Sequence, residues 1–327
     1  MGWRKARRAR SKPVMESDER KTYRGIVLFM LALLFLAAHD ATAKYLSQSF
    51  PLPLLVWARF TVHFLLVTIF LGPSRRMKLF STHSPRLQIT RALFILAVSL
   101  LLLGALRIMP LAETTAIFLV SPFLLALIAV KILGEKVDFK RWLMIVTGFC
   151  GALLIARPGG ALSATGVLLA LAAALCGALY QMQTRQLSLK EDPLATLFYT
   201  ALTGTVMLSL SLPWFWPEHL PNAGEGTLIV LLGLLGTIGH LLLIFAFRRA
   251  PASLLAPFNY AHLLWATLFG WLIFGQLPDA WSFLGIAIIA GSGLLLIMSP
   301  RPSTAVMGSH GQRPVSPIQK DCKEVEP

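Results

Sequence analysis

Residues 105–136 read ALRIMPLAETTAIFLVSPFLLALIAVKILGEK, and between Leu111 and Leu133 the only charged side chains are Glu113 and Lys131. A helix crossing lipid hydrocarbon takes about 20 predominantly apolar residues, so this stretch reads as a membrane span that opens just after Pro110. Outward from it, charged or Pro/Gly-rich breaks divide the chain into ten such runs, near 25–46, 52–72, 87–106, 111–133, 141–157, 165–185, 194–215, 227–247, 252–275 and 280–298. The composition agrees: 56% of the 327 residues are hydrophobic and 14% charged, where soluble domains carry about 25% charged residues. Mean hydropathy is +0.68. The expected fold class is an all-α membrane protein of ten transmembrane helices. A basic stretch precedes the first run, but that run is too long for a signal peptide and lacks a small-residue cleavage site, so it is expected to remain as a helix.

The cations give the orientation. With the cations near the edges of the runs counted in the adjacent break (Arg91 with the second, Lys131 and Arg141 with the fourth, Arg185 with the sixth, Arg157 with the fifth), the two tails and the even-numbered breaks hold 26 Lys and Arg, whereas the odd-numbered breaks hold only Arg107 and Arg157. By the positive-inside rule both termini, and with them the 1–24 basic tail and the 299–327 tail, are expected to face the cytoplasm. The net charge of +15 is spread over these short breaks and forms no single patch, which excludes nucleic acid as a partner. Membrane lipid is the partner expected from the apolar runs. Cys150, Cys176 and Cys322 are far apart and have neither disulfide-framework nor zinc spacing. The chain has no Walker A, HExxH or GxSxG motif, so no cofactor, metal or catalytic residue is expected, and any transport is not driven by its own ATP hydrolysis.

Shifted by 141 residues, the chain matches itself at Arg107/Arg248, Pro110/Pro251, Gly134/Gly275 and Asp138/Asp279, and at Gly25/Gly166, Ala32/Ala173 and Ala37/Ala178. Arg, Pro, Gly and Asp are scarce among the spans, so their shared offset marks an internal repeat. Five helices per copy is an odd number, so the second copy enters the membrane from the opposite side. The expected arrangement is two inverted five-helix repeats, 25–159 and 165–298, with a central site at their interface.

The segments ALRIMPLAETTAIFLVSPFLLALIAVKILGEK (105–136) and WLMIVTGFCGALLIARPG (142–159) are echoed by AFRRAPASLLAPF (246–258) and FGQLPDAWSFLGIAIIAGSGLLLI (274–297). In this order they resemble the paired EamA domains of the drug/metabolite transporter superfamily. Gln276 stands where the first copy has Glu135, and Leu263 where it has Pro122. HDATAKYL (39–46) and VWARF (56–60) resemble a bacterial subgroup with carriers for S-adenosylmethionine, riboflavin and the opine metallophore pseudopaline. The resemblance implies a secondary transporter of a small organic metabolite. Export of a carboxylate-bearing, amino-acid-like or opine solute is the expected activity, and uptake of S-adenosylmethionine or riboflavin is the alternative. A membrane-embedded transferase is the alternative of another class.

Ionisable groups near the bilayer centre cost about 2.5–3.5 kcal/mol each on insertion scales, so those present face a cavity or a partner. Asp40 and Lys44 lie four apart on one face of the first helix, and Arg59 lies at similar depth on the second. They form either an internal ion pair, Asp40 with Arg59 or Lys44, or the charged core of a substrate site. His63 follows Arg59 by one turn; it and His39 are the candidates for a proton relay. Tyr180, Gln181, Asn259, His262 and Trp265 are the further candidate substrate contacts, with His240 beside them. Glu113 is expected to complement a helix dipole. Pro122 and Pro257 are expected to kink helices four and nine. Trp214, Trp216 and Trp281 are read as interfacial anchors, and Gly233, Gly236 and Gly239 as a close-packing stripe.

Overall fold

The computed structural model describes residues 12–80, 82–133, 139–156, 162–188, 191–217, 219–247, 249 and 255–298. Gly134, Glu135, Asp138, Arg157, Arg248 and Pro251, which carry part of the sequence argument, lie outside them. Among the described residues every regular element is a helix. These are α1 (Lys12–Leu46), α2 (Leu52–Phe80), α3 (Pro85–Ile108), α4 (Leu111–Phe118), α5 (Ser121–Leu133), α6 (Phe139–Ile155), α7 (Ala164–Ser188), α8 (Pro193–Ser211), α9 (Ala223–Phe247), α10 (Ala261–Phe274) and α11 (Ala280–Met298). Two 3-10 turns, Leu212–Phe215 and Ala256–Tyr260, adjoin α8 and α10. Six helical stretches are long and apolar enough to cross a membrane: Thr22–Leu46, Leu52–Phe70, Pro85–Ile108, Ala164–Thr184, Leu194–Phe215 and Ala223–Leu243. Four shorter apolar stretches, Leu111–Leu125, Trp142–Ile155, Phe258–Phe274 and Ala280–Leu295, accompany them. α1 starts at Lys12, inside the segment expected to be a tail.

Local chemistry sets several helix ends. Pro193 opens α8 behind Asp192, whose carboxylate accepts from the Leu194 N–H at 2.9 Å. At α9 the Asn222 N–H donates to Glu225 and the Glu225 N–H donates to Asn222 Oδ1, each at 2.9 Å. This reciprocal pair satisfies two backbone donors. α10 stops because Gly275 takes the left-handed conformation, φ 64°, and its N–H and that of Gln276 bond back to Trp271 and Gly270.

The run expected as one kinked helix over 111–133 is two helices, broken at Leu119–Val120. Pro122 has no N–H for the Phe118 carbonyl, and the Val120 N–H bonds to Ile117 instead. In the second half Pro257 likewise lies in a 3-10 turn that precedes α10. Pro122 therefore interrupts the helical run beside the central cavity, which it lines, a backbone state tolerated at membrane depth where it borders a cavity.

The two halves of the chain interlock. α1 packs along α9 and α3 along α7; α2 packs on α8, α6 on α11 and α4 on α10. Lipid is as apolar as Leu, so close van der Waals contact rather than hydrophobic burial must hold these pairs together. Glycine supplies it at α9: a Cβ on Gly233 would overlap Val62, and one on Gly239 would stand 2.9 Å from Leu36. The stripe read from the sequence thus packs α9 against α1 and α2.

Candidate functional site

A cavity of about 290 Å³ lies where α1, α2, α3, α5, α7, α9 and the start of α10 converge. Leu33, Leu36, Leu102, Leu103 and Phe118 give it apolar walls, and its polar groups come from both halves of the chain. α1 contributes His39 and Asp40, α2 Arg59, α3 Ser99, α7 Tyr180 and Gln181, α9 His240, the 3-10 turn Ala256–Tyr260 Asn259, and the start of α10 His262.

Asp40 has no ion pair with Arg59 or Lys44 among the described residues. Its nearest basic partners are imidazoles, His262 Nε2 at 3.6 Å from Oδ2 and His39 Nε2 at 4.0 Å from Oδ1. The Nδ1 of His39 lies 2.9 Å from the Leu232 carbonyl, which only accepts, so that nitrogen carries the proton. His39 then directs an unprotonated Nε2 toward Asp40 while it is neutral.

Arg59 donates to Ser99 Oγ at 3.1 Å and to His240 Nε2 at 3.2 Å. Guanidinium cannot accept a hydrogen bond, so Nε2 of His240 holds the lone pair and Nδ1 the proton. These two bonds engage two of the five guanidinium N–H groups, and the other three have no hydrogen-bond partner among the described residues. Gly236 makes room for this arrangement, since a Cβ there would stand 3.2 Å from His39 Nδ1 and 3.7 Å from Arg59 Nε.

The other expected site residues divide. Gln181 lines the cavity and donates to Ser121 Oγ at 2.9 Å. His63 is buried behind the lining, and its ring stacks on His240 with centroids 6.4 Å apart. Trp265 lies outside the lining and packs with Phe29, Leu33 and Leu255. Lys44 also lies outside it: only 4% exposed, its Nζ donates to the Leu106 and Met109 carbonyls at 2.6 and 2.5 Å and sits over the Phe274 ring. A cation there satisfies carbonyls that α3 leaves free at its C-terminus and complements the helix dipole. Glu113 occupies the first turn of α4, as expected from its position.

Arg91, which the sequence places among the cations of the second break, is instead 6% exposed inside α3. Its Nη2 donates to the Tyr180 hydroxyl at 2.8 Å, its Nε to Thr184 Oγ1 and its Nη1 to Thr200 Oγ1, both at 2.7 Å. Ser99 and Ser121 were not singled out either. Arg91 had one sequence signal: Pro85, a favoured first residue of a helix, puts it almost two turns inside. The serines had none.

A carboxylate without a fixed cation and a guanidinium with free donors, facing one partly apolar space, can hold the two poles of a zwitterion. A profile described as the EamA-like transporter family matches the chain twice, over residues 23–157 and 164–298. The S-adenosylmethionine uptake transporter of Rickettsia prowazekii is 27% identical over 292 residues, 88% of this chain and 97% of that protein. The riboflavin transporter of Vibrio cholerae serotype O1 is 30% identical over 276 residues, 81% of this chain and 90% of that protein. A solved structure described only as a crystal structure of protein shares the fold at TM-score 0.57 and 22% identity, covering 85% of this chain and 95% of that one. Since the profile accounts for most of the sequence, the chain belongs to the EamA-like transporter family.

Proposed function

We propose that this protein is a secondary carrier that moves a small zwitterionic, amino-acid-type metabolite across the bacterial inner membrane. The observation that carries this reading is the separation of Asp40 from Arg59 within one cavity: Asp40 is free to meet an ammonium or sulfonium group, and Arg59 a carboxylate. An ion pair between them would have cancelled both poles. Asp40, Arg59, Tyr180, Gln181, Asn259 and His262 form the solute site, with His39, Ser99 and His240 orienting it. Lys44 and Trp265 are assigned to the scaffold, and His63 supports His240.

Ten membrane crossings in two inverted repeats, 25–159 and 165–298, complete the proposal. Its support is that exchanging the halves maps the packing onto itself: α1 on α9 becomes α7 on α3, while α2 on α8, α6 on α11 and α4 on α10 are unchanged. For direction we propose uptake, the word in the names of the S-adenosylmethionine relatives, in place of the export that the sequence analysis preferred. The cation bias supports a cytoplasmic position for both termini.

Counterflow in proteoliposomes tests the substrate class, with labelled S-adenosylmethionine and labelled riboflavin as probes. Saturable exchange of S-adenosylmethionine, without added nucleotide, is the expected result. Exchange of riboflavin alone would overturn the zwitterion assignment, and exchange of neither would overturn the carrier reading for both relatives' solutes. A fluorescent reporter that matures only in the cytoplasm, fused after residue 300, should glow.

A further inference from the structure

Arg91 is a buried cation with no carboxylate within ion-pairing distance among the described residues. All three of its hydrogen-bond partners are neutral hydroxyl oxygens. Burying an unpaired charge in this solvent is costly, so the arrangement calls for a reason beyond packing.

The hydroxyl hydrogens supply one. Thr184 Oγ1 donates to the Tyr180 backbone carbonyl at 2.7 Å and Thr200 Oγ1 to the Thr196 carbonyl at 2.7 Å. Each threonine has therefore spent its hydrogen within its own helix and offers Arg91 only a lone pair. Tyr180 differs: its oxygen accepts from Arg91 Nη2 at 2.8 Å, its hydrogen has no acceptor among the described residues, and its side chain lines the cavity. The guanidinium also lies over the Tyr180 ring, 4.5 Å from the centroid, which fixes the ring as well as the hydroxyl. An oxygen that accepts from a cation is a stronger donor through its own hydrogen, because hydrogen bonds in a chain polarise one another.

We infer that Arg91 is a positioning residue that sets the Tyr180 hydroxyl as a hydrogen-bond donor to an anionic oxygen, carboxylate or phosphate, of the transported solute. Arg91 stands behind the cavity wall and acts through Tyr180, while Arg59 meets the solute directly. The anionic pole is thus recognised from both repeats, by Arg59 of the first and Tyr180 of the second. The inference rests on the proposed carrier function and adds the donor that distinguishes a solute with an anionic group from one without.

The test compares S-adenosylmethionine with its decarboxylated form, which keeps the sulfonium and amine and lacks the carboxylate. Uptake of both is measured into proteoliposomes holding wild type, Tyr180→Phe, Arg91→Lys or Arg91→Gln, with thermal midpoints taken on the same preparations. Wild type should favour the carboxylate-bearing probe. Tyr180→Phe keeps the ring that Arg91 covers and should lower that preference about tenfold by raising the half-saturation concentration for S-adenosylmethionine alone. Arg91→Gln should lower it by a similar factor, and Arg91→Lys, which keeps the charge but not the three-way fork, by at least threefold. If Arg91→Gln fails to reach the membrane, Thr200→Val, which removes one anchor of Arg91 and leaves the cavity wall intact, replaces it with an expected threefold loss. The inference is overturned if wild type prefers the carboxylate and Tyr180→Phe retains that preference, or if the Arg91 variants slow both probes equally. Transport of neither probe by wild type would overturn the carrier reading for this solute class, and the inference with it.

Discussion

The Nε2 of His262 stands 3.6 Å from the Oδ2 of Asp40, so the one carboxylate among the cavity-lining residues meets an imidazole from the other half of the chain. Arg59, which its similar depth on the second helix made a candidate partner of Asp40, is turned instead toward Ser99 and His240. Asp40 and Arg59 therefore act as separate poles, and removing both cannot mend what removing one breaks. Asp40→Asn with Arg59→Gln should be as inactive in solute flux as Asp40→Asn alone, at matched membrane abundance. Recovery of more than half of the wild-type flux in the double variant would restore the internal ion-pair explanation.

Arg59→Lys keeps the positive charge and loses the planar fork that reaches Ser99 and His240 while leaving donors for the solute. We expect flux to fall about tenfold, equivalent to about 1.4 kcal/mol. The loss should appear in the half-saturation concentration. An unchanged flux at equal abundance would show that a point charge suffices.

Lys44 has a structural part, tying α1 to the carbonyls at the end of α3 and the Met109 link. Lys44→Met retains the stem and removes the donors. Thermal unfolding in detergent should register a loss of about 1–3 kcal/mol from unpaired buried carbonyls, with the half-saturation concentration for solute within twofold of wild type. A tenfold rise in that concentration with unaltered thermal stability would return Lys44 to the solute site.

Gly236 and Gly226 lie on the same helix and make opposite predictions. A methyl group at Gly236 would crowd His39 and Arg59, whereas one at Gly226 meets nothing within 4 Å. Gly236→Ala should reduce flux at least fivefold and lower stability by about 1–3 kcal/mol. Gly226→Ala should leave flux unchanged and raise stability by about 0.5–1 kcal/mol through the lower entropy of the unfolded chain. Thermal melts and flux on the two variants check both.

Local signals made much of the fold legible in advance. Pro110 separates α3, which ends at Ile108, from α4, which starts at Leu111, and Gly275, the last residue of the ninth run, caps α10. Asp40 and Arg59 stood out because charge is scarce in the spans, and the glycine stripe stood out because its spacing is helical. What remained hidden depended on distant partners. Nothing near Lys44 in sequence shows that carbonyls of Leu106 and Met109 await its ammonium. Arg91 follows Arg86 closely and reads from the sequence as one more loop cation, although its three acceptors lie about 90 to 110 residues further along the chain. The helix break before Pro122 was legible as a kink, but its depth became visible only once Phe118, Ser121 and Pro122 were seen lining the cavity.

The most direct test of the account is the flux of labelled S-adenosylmethionine into nucleotide-free proteoliposomes carrying wild type or Asp40→Asn, reconstituted at equal density with matching thermal midpoints. Saturable wild-type flux, with the variant at the level of protein-free vesicles, is the predicted result, because Asp40 is the one carboxylate among the cavity-lining residues to meet the solute's cationic pole. Equal flux through both proteins, or none through the wild type, would contradict it.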